Sequence, residues 1–407
     1  MYIHRHLQAA LEQAERMFGA VMVTGPRQAG KTTLLRAVKP GLPYVTLDDP
    51  FLLTMARETP GTFFRVHPPP VVVDKIQYAP QLFPHIKMML DANPAKGQFH
   101  LSGSQQFHMM QKVGESLAGR AGILNLHALS LRESLGDGFD WPFLPDENYR
   151  NRRRESARSL DAREAWRRIH RGAMPAMAAD PAADWQMYHA AYVKTYLERD
   201  IRDLAQVGDE LVFFRFLTAA AARTGQLLNL AALARDVGIG HRAAERWLSI
   251  LRASNLVFLL PPYHANATKR SVKTPKLYFL DTGLAAYLTS WTSAEALQSG
   301  AMAGAFFETY VVAEIVKSYA NAGFQDPPLH FYRDRGQNEI DVLIEANGAL
   351  HPVEIKKHAD PSRKDIGAFG LLDGLPGVRR GPGALICLYG QPAPLAGADW
   401  TMPLSWI

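Results

Sequence analysis

The chain has 407 residues, with 45 Lys and Arg against 39 Asp and Glu, and at 47% hydrophobic it can bury the cores of two or three domains. Its net charge of +6 is local, because residues 150–171 hold nine arginines against three acids and the rest of the chain is balanced, which excludes a protein coated with positive charge for nucleic acid. A single cysteine, no His-Glu-x-x-His pair and no long apolar run exclude an intrachain disulfide, the usual zinc-protease arrangement and a membrane partner, and the reading is a soluble, cytoplasmic chain.

Apolar residues at helical spacing from Ile3 to Phe18 predict an opening helix. Ala20–Thr24 then reads as a strand, and Thr33–Val38 as a helix. Between them runs Gly25-Pro26-Arg27-Gln28-Ala29-Gly30-Lys31-Thr32, the Gly-x-x-x-x-Gly-Lys-Ser/Thr phosphate loop in its required setting. Gly25 and Gly30 free the backbone so that N–H groups through Thr33 can surround phosphate oxygens at a helix N-terminus. Lys31 would reach the β- and γ-phosphates, and Thr32 would offer its hydroxyl to Mg²⁺. ATP with Mg²⁺ is the expected cofactor.

The partner of such a loop is an apolar strand ending in an acid. Residues 68–74 supply it, and Asp74 would hold Mg²⁺ through water. Hydrolysing proteins usually place a water-polarising glutamate next; here Lys75 stands there, a second cation near Lys31 that cannot accept a proton while charged. A third strand, Gln98–Ser102, leads to Ser104 and Gln105, where Ser104 would sense the γ-phosphate; a plain strand-to-helix turn is the alternative.

Gly25-Pro-Arg-Gln-Ala-Gly-Lys-Thr-Thr-Leu34, Tyr44-Val-Thr-Leu-Asp-Asp-Pro50, Asp74-Lys-Ile-Gln77 and Ser116-Leu-Ala-Gly-Arg120 together resemble one family. It is the AAA-type ATPases of bacteria and archaea that carry a C-terminal restriction-endonuclease-like domain. The family's Asp-Glu-Ile-Gln reads Asp74-Lys75-Ile76-Gln77 here, a departure that bears on hydrolysis rather than binding. Arg120 matches the family's arginine after Leu-Ala-Gly, as a nucleotide sensor or a helix cap.

Gly136–Pro145 reads as a surface loop leading into the arginine-rich stretch. That stretch either grips phosphates or acidic partners, or is a solvated helix face with Arg158 paired to Asp161 or Glu155 and Trp166 turned inward. Asp184–Val207 predicts a long helix. Arg199 or Arg202 would act on a neighbour's γ-phosphate there, although Glu198–Arg202 and Arg199–Asp203 are also ideal ion-pair spacings. Three helical segments follow, over Asp209–Arg223, Asn229–Val237 and His241–Ala253. A hairpin of Leu256–Leu260 and Lys276–Leu280, tipped by Lys269, Arg270 and Lys273, completes a winged-helix pattern. His241, Arg242 and Arg246 would face DNA, or the unit would serve as a protein–protein joint. Asp281-Thr-Gly283 matches the aspartic-protease triplet but reads better as a helix cap.

A helix over Gly304–Tyr319 precedes three strands, Leu329–Arg333, Glu339–Glu345 and Leu350–Lys356. Asp341 sits near the start of one, and Glu354 and Lys356 share a face on the next. Two carboxylates and a lysine are the parts for Mg²⁺-assisted phosphodiester hydrolysis, the acids Asp341 and Glu354 holding metal and Lys356 orienting water. A salt-bridged sheet edge is the alternative. The arrangement looks like the restriction-endonuclease-like core, and the resemblance adds Glu308 as its helical acid.

The expected fold is therefore α/β: an AAA-type P-loop ATPase core at 1–135, an arginine-rich connector at 136–208, a winged-helix-like unit at 209–290 and an α/β restriction-endonuclease-like domain at 291–407. The expected function couples nucleotide state to a nuclease-like module acting on DNA. The alternative is a regulatory ATP-binding switch, with a protein partner or a second copy of the chain and no nuclease activity.

Overall fold

The computed structural model describes residues 2–103, 116–196, 210–264, 274–334 and 336–407. Ser104 and Gln105, Glu198, Arg199, Arg202 and Asp203, and Lys269, Arg270 and Lys273 lie outside these ranges.

Strands β1 (Ala20–Thr24), β2 (Tyr44–Thr46), β3 (Val71–Asp74), β4 (Phe99–Ser102) and β5 (Ala121–Asn125) form one parallel sheet, in the order β2-β3-β4-β1-β5. The residues of β1, β3 and β4 are buried throughout, as a sheet covered on both faces requires. Leu7, Leu11 and Ala14 of the helix Leu7–Met17 pack with Val21, Val23 and Leu124 on one face. Phe63, Phe83 and Ile86 pack with Met22, Val73 and Leu101 on the other. The carboxyl ends of β1 and β3, with only β4 between them, face one edge, where open α/β sheets bind ligands.

Helices Glu147–Ser156, Ala162–Arg171 and Trp185–Tyr196 form the connector. Trp166 is buried against Phe307, as its place on the helix predicts. The solvated-face reading fails for two arginines. Arg153 is buried, pairs with Asp137 at 2.6 Å and donates to the Ser405 carbonyl at 2.8 Å, while Arg150 stacks 4.8 Å over Trp400. The acid that engages arginines within the stretch is Glu164, bonded by Arg167 and Arg168.

Helices Glu210–Ala221, Leu230–Val237 and His241–Ala253 follow, with a three-stranded antiparallel sheet in the order β6 (Gln226–Leu227), β8 (Lys276–Phe279), β7 (Val257–Leu260). Asn229 caps its helix by accepting from Ala232 N. Asp281 accepts from Leu284 N at 2.8 Å and Ala173 N at 2.9 Å, so it caps a helix and ties the connector down.

The 19-residue helix Ala303–Asn321 is buried along nearly its whole length. Beside it lies a six-stranded sheet in the order β13-β14-β12-β11-β10-β9. β9 (Leu329–Arg333), β10 (Glu339–Ala346) and β11 (Ala349–Ile355) form an antiparallel meander; β12 (Ala384–Cys387) runs parallel to β11 and to β14 (Asp399–Pro403), and β13 (Ala393–Ala396) closes the edge. One apolar core runs from the connector to this sheet. Among the described residues, no helix is long and apolar enough to cross a membrane.

Candidate functional site: a phosphate loop and a buried carboxylate cluster

The loop after β1 owes its shape to backbone that ordinary side chains resist. Gly25 has φ 140° and Gly30 φ 92°, and a Cβ on Gly25 would collide with the Leu126 carbonyl. Lys31 folds back, its ammonium donating to the Gly25 carbonyl at 2.9 Å and the Pro26 carbonyl at 2.7 Å. Gln28 accepts from the Tyr188 hydroxyl at 2.7 Å. Arg27, Gln28, Gly30, Lys31, Thr32, Thr33 and Asp74 all border one cleft of about 600 Å³, which Pro175 and Thr195 also line.

Asp74, at the end of β3, is 2% exposed. It accepts from the Thr32 hydroxyl at 3.0 Å and the Tyr44 hydroxyl at 2.8 Å, and is also bonded by the Ser102 hydroxyl. Burial and the Asp74 carboxylate push the Tyr44 phenol up, so Tyr44 remains a donor. A threonine hydroxyl beside a buried carboxylate is a hard-oxygen set that fits Mg²⁺. Lys75 borders the same cleft as Lys31, but not as a free cation. Its backbone is left-handed, at φ 60°, and its ammonium pairs with Asp48, which cancels the charge. Arg120 bonds Asp91 at 2.5 Å and the Ala118 carbonyl at 3.2 Å.

Ala29 is buried, and its carbonyl accepts from Arg5 at 2.6 Å. Arg5 also donates to the His127 carbonyl at 2.8 Å and pairs with Glu133 at 3.0 Å. Glu133 accepts from Ser130 N at 2.8 Å; the next residue, Leu131, donates its N–H to Glu314 at 2.6 Å. Lys317 bonds Glu314 at 2.8 Å and the Leu129 carbonyl at 3.0 Å. A buried polar chain therefore runs from the phosphate loop to the helix Ala303–Asn321.

That helix carries Glu308 into the second cluster. Asp341 on β10 accepts from Ile355 N at 2.9 Å, and Lys356 bonds Glu354 at 2.5 Å, so β10 and β11 bring these predicted residues together. Burial, Glu308 and Glu354 push the Asp341 carboxyl well above its usual range, and burial also raises Glu354. His358 bonds Asp365 at 3.1 Å instead. Asp341 and Glu354 are the acids expected to hold a metal ion; among the described residues, no group of three His, Cys, Asp or Glu side chains could hold one as they stand. Lys276 from β8 stands in the cluster, 2.9 Å from Glu308 and 2.6 Å from Glu339. As arranged, Asp341 and Glu354 do not fit a divalent cation.

Arg5, Tyr44, Lys276, Tyr278 and Glu339 escaped the sequence reading. Each acts through a partner distant in the chain, so no local spacing marks it.

Three family models match the chain. A family described as an AAA domain matches residues 18–135, and two described as domains of unknown function (DUF8612 and DUF4143) match 162–295 and 303–407. Uncharacterized proteins of Mycobacterium tuberculosis and Mycobacterium bovis are each 29% identical over 367 residues, spanning 88% of this chain and 75% of theirs. Among solved structures, the Walker-type ATPase PABY2304 of Pyrococcus abyssi aligns at 15% identity and TM-score 0.42, over 69% of this chain and 94% of that one. The Holliday junction branch migration motor RuvB of Thermotoga maritima aligns at 15% identity and TM-score 0.28, over 63% and 87%. Residues 18–135 form an α/β domain of the AAA, P-loop ATPase type.

Proposed function

We propose that the chain is an ATP-binding switch whose nucleotide state is passed to a nuclease-like module near its C-terminus. The observation that carries this reading is the buried polar chain from the Ala29 carbonyl through Arg5, Glu133 and Leu131 to Glu314. ATP would draw the Lys31 ammonium off the Gly25 and Pro26 carbonyls and onto phosphate oxygens. Thr32 and Asp74 would hold Mg²⁺, which neutralises phosphate charge when bound. The loop's movement then bears on Ala29, and Arg5 links that residue to the long helix. With the Lys75–Asp48 pair in the glutamate's place, hydrolysis is slow in this reading.

The nuclease-like assignment of 291–407 rests on an antiparallel meander followed by a parallel strand, with Asp341 on β10 and Glu354 and Lys356 at the end of β11. The winged-helix assignment of 209–290 rests on its three helices and β7–β8 hairpin. DNA is the favoured partner of that unit because His241, Arg242 and Arg246 are all exposed on one helix.

Hydrogen exchange on the full chain, with and without ATP and Mg²⁺, tests the switch. Protection is expected at residues 25–33 and also at 303–321 and 339–356, and Lys31→Ala should remove both. Protection confined to the first 135 residues would sink the coupling.

A further inference from the structure

Lys276 opens β8, yet its ammonium lies among the carboxylates of the C-terminal sheet. The Nζ atom is 2.9 Å from Glu308 Oε1, 2.6 Å from Glu339 Oε1 and 3.9 Å from Asp341 Oδ1, with the side chain 4% exposed. Tyr278, two residues on and so on the same face of β8, donates to Glu308 Oε1 at 2.6 Å. The hairpin is fastened there by backbone bonds, Phe331 N to the Pro261 carbonyl at 3.0 Å and Tyr263 N to the Phe331 carbonyl at 2.7 Å.

Burial alone would lower the Lys276 ammonium, but Glu308, Asp341 and Glu339 outweigh it and hold the group above the usual lysine range. Four carboxylates, Glu308, Glu339, Asp341 and Glu354, meet Lys276, Lys356 and, 3.7 Å from Glu339, Arg333. A second observation points to a cation site. Glu354 Oε2 is buried and finds no hydrogen-bond partner among the described residues, an acceptor one ligand short.

We propose that Lys276 is the resident cation of this cluster, a lysine ammonium standing where a divalent metal ion would bind and keeping it out while the β7–β8 hairpin stays docked. The proposal rests on the nuclease-like reading of the module and adds its regulation: the module is held metal-free in cis by a side chain from the preceding unit. An ammonium supplies one charge and three donors, and no open coordination position for a phosphodiester. Replacing it by a neutral side chain removes the positive charge that Glu308, Glu339 and Asp341 share, a deficit that a metal cation fills.

The test uses the full, nucleotide-free chain and Mn²⁺, by calorimetric titration and thermal unfolding. Lys276→Met should melt lower than wild type in chelator and recover with Mn²⁺, binding the ion at least about tenfold more tightly than wild type. Adding Asp341→Asn should abolish that gain. Should Lys276→Met fail to fold, Lys276→Met with Glu339→Gln removes one charge of each sign and should show a smaller gain that still depends on Asp341. Wild type binding Mn²⁺ as tightly as the variant, with the same dependence on Asp341, overturns the proposal; so does the absence of gain in both variants. Mn²⁺ binding gained without any DNA cleavage upholds the resident lysine and sinks the nuclease-like reading. Equal cleavage by wild type and variant does the reverse.

Discussion

Lys75 and Asp48 are both more than a third exposed, so their pair contributes at most about 1 kcal/mol to stability. Its consequence is chemical, because it neutralises the position from which a glutamate would polarise water. Lys75→Glu alone would set a carboxylate against Asp48. Phosphate release should therefore rise further in Lys75→Glu with Asp48→Asn, by about a hundredfold over wild type if the missing base limits turnover. No gain in the double variant would place the limit elsewhere. His127 allows a prediction of opposite character. Burial, then the charges of Lys317 and Arg5, lower its imidazole to about 3. The unfolded chain takes up this proton near pH 6.5 and the folded chain does not until about pH 3, so wild type loses about 1.4 kcal/mol per pH unit as pH falls through that window. His127→Gln lacks this loss. The stability gap between the two proteins should narrow by about 2 kcal/mol from pH 7.5 to pH 5, read by urea unfolding.

Elements that carry their own signal were legible. The phosphate loop is, because strand, turn and helix are consecutive and Gly25 and Gly30 mark the turn. Glu354 and Lys356 were legible as a pair because the two-residue strand period puts them on one face, whereas Asp341 joins them through strand pairing. Lys276 was not, since β8 belongs to another sheet and only tertiary packing brings it to Glu308. The arginine-rich helix misleads for a similar reason. Its sequence reads as solvated, but β14 and the residues after it fold back on it, and Arg153 ends at Asp137 and Ser405. Removing one partner of so buried a pair strands the other. Arg153→Met should cost about 3–5 kcal/mol, whereas Arg152→Met, on the exposed side, should stay within about 0.5 kcal/mol. Urea unfolding midpoints distinguish the two; equal effects would mean that Asp137 finds another partner.

For the whole molecule the question is whether two distant sites share one equilibrium. The phosphate loop and the carboxylate cluster are joined by the Arg5–Glu133–Glu314 chain, and Glu314 and Lys317 share their helix with Glu308. If that chain transmits nucleotide state, the coupling is reciprocal: ATP must change Mn²⁺ affinity at the cluster by the same factor as Mn²⁺ changes ATP affinity. Lys276→Met makes the second half measurable. A coupling of about 1–3 kcal/mol corresponds to a 5- to 150-fold change in each affinity. Glu314→Leu with Lys317→Met then cuts the connection without orphaning a charge, at a cost of about 1–3 kcal/mol for each of the two buried groups left unpaired, Leu131 N and the Leu129 carbonyl. In that background both affinities should persist and their mutual dependence should vanish. Coupling that survives the cut would have to travel through the shared apolar core instead, with Arg5 only a brace for the loop.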